Sequence, residues 1–354
     1  MTTDATGATA APDFIRLEGP AAPQGWRMPA EWEPLEAVWL VRPHNEETWP
    51  LALAGAQAEW DAWRRALEAV VRVRTTDELG VATNDSWIRD FGPIFVTHPT
   101  KGVAAHSFTF NGWGGKYEVR SDDDAVPAKL AARLGFPLFL HDCILEGGSI
   151  EVDGEGTMLT TEQCLENENR NAALSHDAIQ SMLRDAFAVE KLIWLPGGIK
   201  GDDTDGHIDD IARFARPGVV AAVRAPEGHP DHEVLEANWR VLEQATDARG
   251  RRLELVALPS PEPIHHDFPA DRFGPGGRNM LPASHANFLI ANGRVFVPVF
   301  GGASDDLACR LLEEATGRRA VPVMARHLVV GLGSLHCLSQ QQPADPRVIA
   351  ACRA

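Results

Sequence analysis

Apolar and polar positions alternate in short paired runs along most of the chain. Residues 149–161 carry two such runs around a Gly-rich turn, and 287–298 carry two around Asn292-Gly293. Asn-Gly between apolar runs favours a tight hairpin, because both residues tolerate positive φ. Residues 211–223 bend at Pro217-Gly218, and 93–108 bend at Pro99-Thr-Lys-Gly102. The pattern therefore predicts four hairpins.

Beyond the hairpins the apolar period lengthens to that of a helix. Helices are predicted over 125–134, 176–187, 232–245 and 305–315, each followed by an extended run at 136–140, 192–195, 252–258 and 320–323. The repeating unit is hairpin, helix, strand. A strand at 37–41 and an extended segment at 336–339 bring the count to about five units. Closing such units into a ring would remove exposed sheet edges. The expected fold class is α/β, a five-unit pseudosymmetric propeller with its site on the central axis. Residues 1–25, rich in Ala, Thr, Pro and Gly, read as a disordered lead-in, and 26–354 as a single catalytic domain. The Pro/Gly-dense segment 259–282 reads as a long loop, a lid or site wall.

Composition narrows the function. Fifty acidic against 33 basic side chains give a net charge of −17, and no Lys/Arg block stands out. That argues against nucleic acid as partner. No run of about 18 apolar residues predicts a membrane span. Five cysteines are too few and odd in number for a disulfide framework, which favours a reducing compartment, the cytoplasm. The N-terminal stretch lacks the basic and apolar regions of a secretory signal. Nothing fixes an oligomeric state; a homo-oligomer is possible.

Polar residues cluster just ahead of the first strand of the units. They are Asp85 and Asp90 in 84–93, Glu146 before Gly147-Gly148, His207 and Asp209 in 205–210, and Cys337 in 334–343. On a strand, His207 and Asp209 would share one face. Cys337 follows the Gly-rich Val330-Gly-Leu-Gly333 and precedes a Ser-Gln-Gln-Gln run, which suggests a backbone facing a ligand. The other four cysteines read as inert, buried small hydrophobes. Cysteine with histidine and a carboxylate is a nucleophile set. Several acids around one thiol suit a cationic electrophile, and a guanidinium is planar, cationic and made for bidentate carboxylates. One carboxylate about 4 Å away contributes roughly 4 kcal/mol at an effective dielectric of 20. A metal hydrolase using His207, Asp209, His265 and Asp267 is a weaker reading, since no paired ligand motif accompanies them. No metal or organic cofactor is called for.

Seven segments in order resemble the agmatine deiminase family, shared with bacterial-type peptidylarginine deiminases. They are Met28-Pro-Ala-Glu-Trp-Glu-Pro34, Trp87-Ile-Arg-Asp-Phe-Gly-Pro93, Phe110-Asn-Gly-Trp-Gly-Gly-Lys116, Glu146-Gly-Gly148, Thr160-Thr-Glu-Gln-Cys-Leu165 with Asn169-Arg-Asn171, Thr204-Asp-Gly-His-Ile-Asp209, and His336-Cys-Leu-Ser-Gln-Gln-Gln-Pro343. The resemblance implies the guanidine-modifying (pentein) fold, a five-unit α/β propeller. It implies Cys337 as nucleophile, His207 as general acid/base, Asp90 and Asp209 as guanidinium ligands, Glu146 as an orienting acid and Trp87 as a pocket wall. The implied reaction is hydrolysis of agmatine to N-carbamoylputrescine and ammonia through a covalent amidino-cysteine. Alternatives are another guanidine (free, peptidyl or methylated arginine), amidino transfer to an amine, and a non-catalytic binder. Three positions depart from the family pattern: Arg42, Ser334-Leu335 and Leu289. Arg42 near the pocket would repel an ammonium tail and favour a carboxylate-bearing substrate.

Overall fold

The computed structural model describes residues 14–117, 121–269 and 276–353. Five mixed sheets share one connectivity. In each, an antiparallel pair is followed by a strand parallel to its second member: Ile94–His98, Gly102–Thr109 and Leu138–Ile144; Glu151–Val152, Thr157–Thr161 and Lys191–Leu195; Ala212–Arg216, Val219–Arg224 and Glu254–Pro259; Leu289–Ala291, Arg294–Val299 and Arg319–Met324. The fifth joins the two ends of the chain, with Ser339–Pro343 antiparallel to Leu35–Leu40, which is parallel to Arg72–Thr75. Parallel neighbours need a crossover, and a helix supplies it in every sheet. These helices are Leu53–Glu68, Val126–Leu134, His176–Phe187, His232–Gln244 and Asp305–Thr316. Among the described residues no sheet closes on itself.

The expected hairpins and four helices are present, and their ends follow local chemistry. Ser175 caps His176–Phe187 by accepting the N–H of Ala178. Asn292 and Gly293 take φ of 37° and 88°, the left-handed pair that a two-residue hairpin requires. The Leu53–Glu68 helix was not among the expected elements. It buries Ala56, Trp60, Trp63 and Leu67, a helical stripe.

Three expectations need correction. The lead-in does not run unbroken to residue 25. Its residues 1–13 lie outside the described part, but Arg16–Leu17 pairs in parallel with Leu138–Phe139, and Phe14 and Leu17 pack on core residues. Backbone pairing and these two apolar side chains together hold this short segment. The 259–282 segment contains a further antiparallel pair, His265–Phe268 against Gly277–Met280, with 270–275 outside the described residues. The last strand starts at Ser339, later than expected, and 336–337 form the turn before it.

Candidate active site

Five equivalent positions, each on a short turn ahead of the first strand of a sheet, supply the polar side chains. Asp90 sits on the one-turn helix Ile88–Phe91, Glu146 before Gly147–Ser149, and His207 and Asp209 around Ile208–Asp210. Asn287 precedes Leu289–Ala291, and Cys337 precedes Ser339–Pro343. His207 and Asp209 are therefore not strand residues sharing a face. A 3-10 turn brings them together instead.

Cys337 is buried beside the carboxylates. Its thiol donates to Oδ2 of Asp209 at 3.5 Å, and Asn287 Nδ2 donates to Sγ at 3.0 Å. Asp90 accepts the indole N–H of Trp113 on Oδ2 at 2.9 Å and the N–H of Gly148 on Oδ1 at 3.0 Å. His207 Nδ1 lies 3.7 Å from Asp90 Oδ1. Glu146 Oε1 accepts from Arg170 Nε at 2.7 Å, and Arg170 also holds Asp205. Among the described residues, both ring nitrogens of His207, Oδ1 of Asp209 and Oε2 of Glu146 are buried without a hydrogen-bond partner. Such atoms in one place mark a ligand's donors and acceptors.

Gly148 makes this convergence possible. A Cβ there would stand 2.5 Å from His207 Nδ1, 2.9 Å from Asp90 Oδ1 and 3.2 Å from Asp209 Oδ2. Only a residue without a side chain fits between imidazole and carboxylates.

Burial and charge set the protonation. Burial, then the Asp209 charge, pushes the Cys337 thiol well above its ordinary range. The same two causes push Asp90 well up. Burial drives His207 down to about 3, against the pull of Asp209, so its ring is neutral. Burial also acts to raise Asp209, but the hydrogen bond and charge of His336 outweigh it and hold Asp209 low. Burial thus leaves a neutral thiol and a neutral imidazole in the site with an ionised Asp209.

The cleft leading to Cys337 opens to solvent and is lined by Trp87, Asp90, Trp113, Thr48, Asp85, Tyr117, Asp203, Thr204, Gly331 and Leu332. Trp87 stacks on Trp49 with ring centroids 5.3 Å apart. Among the described residues two ligand-like clusters exist, Glu146–Cys164–His207 and Asp209–Asp210–Cys337, each with donor atoms within 4.8 Å of one another. His265 and Asp267 are exposed on their hairpin and join neither cluster. The metal reading built on them is thus corrected: the two do not meet His207.

All six sequence-predicted site residues meet here. The three departures do not line the cleft. Arg42 turns its guanidinium to Asp61 on the Leu53–Glu68 helix, at 3.0 Å, which removes the basis for a charge clash with a tail. Leu289 is a core residue, and Ser334 donates to Asn287 Oδ1. In the Ser-Gln-Gln-Gln run the side chains of Gln340 and Gln341 turn inward and accept from buried Arg89. Of the other cysteines, Cys164 is buried, Cys143 and Cys309 are half-buried, and Cys352 is exposed rather than buried. Sequence reasoning missed Asn287, Arg170, Trp113 and Gly148. For Asn287 a signal existed, its place ahead of the Leu289–Val299 hairpin, where the other four units carry Asp90, Glu146, His207 and Cys337.

The model of the Porphyromonas-type peptidyl-arginine deiminase family matches residues 27–343. A curated agmatine deiminase of Ectopseudomonas mendocina (strain ymp) is 37% identical over 353 residues, spanning 90% of this chain and 96% of that protein. The solved agmatine deiminase of Enterococcus faecalis superposes with a TM-score of 0.88 at 32% identity, covering 93% of this chain and 99% of the other. An amidinotransferase of Microseira wollei superposes at 0.55 with 14% identity over 90% of this chain and 97% of its own, a likeness of α/β fold alone.

Proposed function

The chain belongs to the Porphyromonas-type peptidyl-arginine deiminase family, and from that premise we propose that it hydrolyses agmatine to N-carbamoylputrescine and ammonia. The reading is supported by close relatives named agmatine deiminases and by the charge of the cleft. That charge is the observation that carries the choice of substrate. Beyond Asp90 and Cys337 the described lining holds Asp85 and Asp203 and neither Arg nor Lys, although Lys116 pairs with Asp203 at 3.7 Å from outside the lining. An ammonium tail is favoured there, and the α-carboxylate of arginine meets like charge. We also propose that the five sheets form a pseudosymmetric ring around the site; their shared connectivity and the five equivalent turns support this.

In the mechanism, Asp90 and Asp209 hold the guanidinium plane and Trp87 walls the pocket. The incoming cation offsets the carboxylate field that keeps the thiol protonated, so the Cys337 proton can pass to neutral His207. Thiolate adds to the guanidinium carbon. His207 then protonates one terminal nitrogen, which leaves as ammonia, and an amidino-thioether remains. Neutral His207 takes a proton from water as the oxygen adds to the same carbon. Collapse breaks the C–S bond, returns a proton to sulfur and releases the ureido product. Glu146, fixed by Arg170, orients the His207 side of the site. No cofactor enters.

The test is ammonia release with mass spectrometry of the product, on agmatine, arginine, an arginine peptide and methylarginine. Agmatine is expected to be turned over with one ammonia per ureido product. Silence on agmatine with turnover of another guanidine would overturn the substrate. Product without matching ammonia would point to amidino transfer.

A further inference from the structure

Glu31 lies in the 28–34 segment, which the reaction above does not use. It is 3% exposed. Its carboxylate accepts the N–H of Ile290 at 2.5 Å and forms an ion pair with Arg213, Oε2 lying 2.8 Å from Nη2. Its Oε2 also lies 3.0 Å from His336 Nε2. The other ring nitrogen of His336, Nδ1, lies 2.6 Å from Oδ2 of Asp209. The His336 backbone is equally fixed. Its N–H donates to Asn287 Oδ1 at 2.9 Å, and its carbonyl accepts from Arg89 Nε at 3.1 Å. The next residue is Cys337.

A neutral imidazole has one N–H, and an ionised carboxylate only accepts. Burial opposes ionisation of Glu31, yet Arg213 and His336 hold it down to about 2, and Asp209 is also held low. Each of the two nitrogen–carboxylate contacts, at 2.6 and 3.0 Å, needs a proton between its two atoms. Asp209, His336 and Glu31 therefore share two protons, one more than a neutral ring alone would hold.

We propose that His336 and Glu31 are positioning residues for the guanidinium site. Clamped by Glu31, His336 fixes the rotamer and the negative charge of Asp209 and leaves Oδ1 of Asp209 directed at the substrate. Neither residue touches the substrate. The inference rests on the reading of Asp209 as a guanidinium ligand. The other groups bearing on the charge of Asp209 are Asp90, Asp202, Asp210 and Cys337 among the acids and the thiol, and His207, Arg89 and Arg213 among the bases. Arg213 and Arg89 also face Glu31, at 2.8 and 3.9 Å, and His336→Asn leaves both of these ion pairs in place.

The test follows alkylation of Cys337 by 2-chloroacetamidine against pH, in the wild type, Glu31→Gln and His336→Asn. This cationic probe needs Asp209 ionised, whatever the natural guanidine is. Loss of the His336 charge raises the Asp209 pKa, so the acid limb is expected to move up by about one pH unit in both variants. A limb that stays in place while the rate falls would indicate a merely structural role and overturn the proposal. His336→Asn keeps a donor to Asp209 at the Nδ1 position but cannot reach Glu31, which provides a second variant should Glu31→Gln not fold. Nitrogen-15 NMR of the wild-type ring at neutral pH is a variant-free check. Protons on both nitrogens are expected, and a singly protonated ring would overturn the proposal. Silence on agmatine with a shifted limb would remove the agmatine reading and leave this one standing.

Discussion

The Cys337 thiol donates to Oδ2 of Asp209 at 3.5 Å, so nucleophile and carboxylate are joined before any substrate arrives. This contact stabilises the protonated thiol. It follows that a neutral alkylator meets a thiol, while a cationic amidine cancels the surrounding charge and meets a thiolate. At pH 7, 2-chloroacetamidine is expected to inactivate the enzyme at least about a hundredfold faster than iodoacetamide. Equal rates would show that the cation does not activate the nucleophile.

Gly148 lies where His207, Asp90 and Asp209 converge, and a methyl group there would stand 2.5 Å from an imidazole nitrogen. Gly148→Ala is expected to lower kcat/KM for agmatine by about a hundredfold or more, because displacement of the order of 1 Å carries that cost. Its urea midpoint should change far less than its activity. Near-normal kcat/KM would mean that the three groups need not converge.

Arg170 neutralises Glu146 where both side chains are fully buried. Arg170→Ala leaves a buried carboxylate without its cation, and such a break costs about 3–5 kcal/mol. Burial already raises Glu146 against the pull of Arg170. The variant should therefore unfold at clearly lower urea. Combining it with Glu146→Gln should recover part of the loss, and a double-mutant cycle checks that.

Asp123 caps the turn that carries Asp85, its Oδ1 accepting the N–H of Asn84 at 2.7 Å. Burial raises its carboxyl to about 7 from an ordinary 3.8. A raised acid contributes stability that is complete below the unfolded value and is lost as pH rises through the folded one. Asp123→Asn keeps the acceptor and removes the titration. It is expected to melt several degrees higher than wild type at pH 8 and to match it near pH 4. His207 has the opposite sign. Its ring falls to about 3 from 6.5, so its contribution is lost as pH drops below about 6.5. A Tm–pH series on both proteins separates the two.

Much of this fold is legible in the sequence because its units are locally encoded. Asn292-Gly293 turns a hairpin wherever it lies, and Ser175 caps a helix from its own neighbourhood. The site was legible where residue type alone restricts chemistry, as for Cys337, His207 and Asp209. Support contacts were not legible, because they join distant parts of the chain: Glu31 with His336, Asn287 with Cys337, Arg170 with Glu146. Local context also misleads. Arg42 follows an apolar strand and could as well have faced the pocket, but an acid on the first helix takes it. The glutamine run looked like ligand-facing backbone, yet Gln340 and Gln341 turn inward to buried Arg89.

The most direct test of the central claim is intact-protein mass spectrometry of enzyme quenched during turnover of agmatine, with the modified peptide sequenced. The account predicts an adduct of agmatine less ammonia on Cys337, absent from Cys337→Ser, whose turnover should fall by about a thousandfold or more. Turnover with no adduct, or near-full activity in Cys337→Ser, would contradict it.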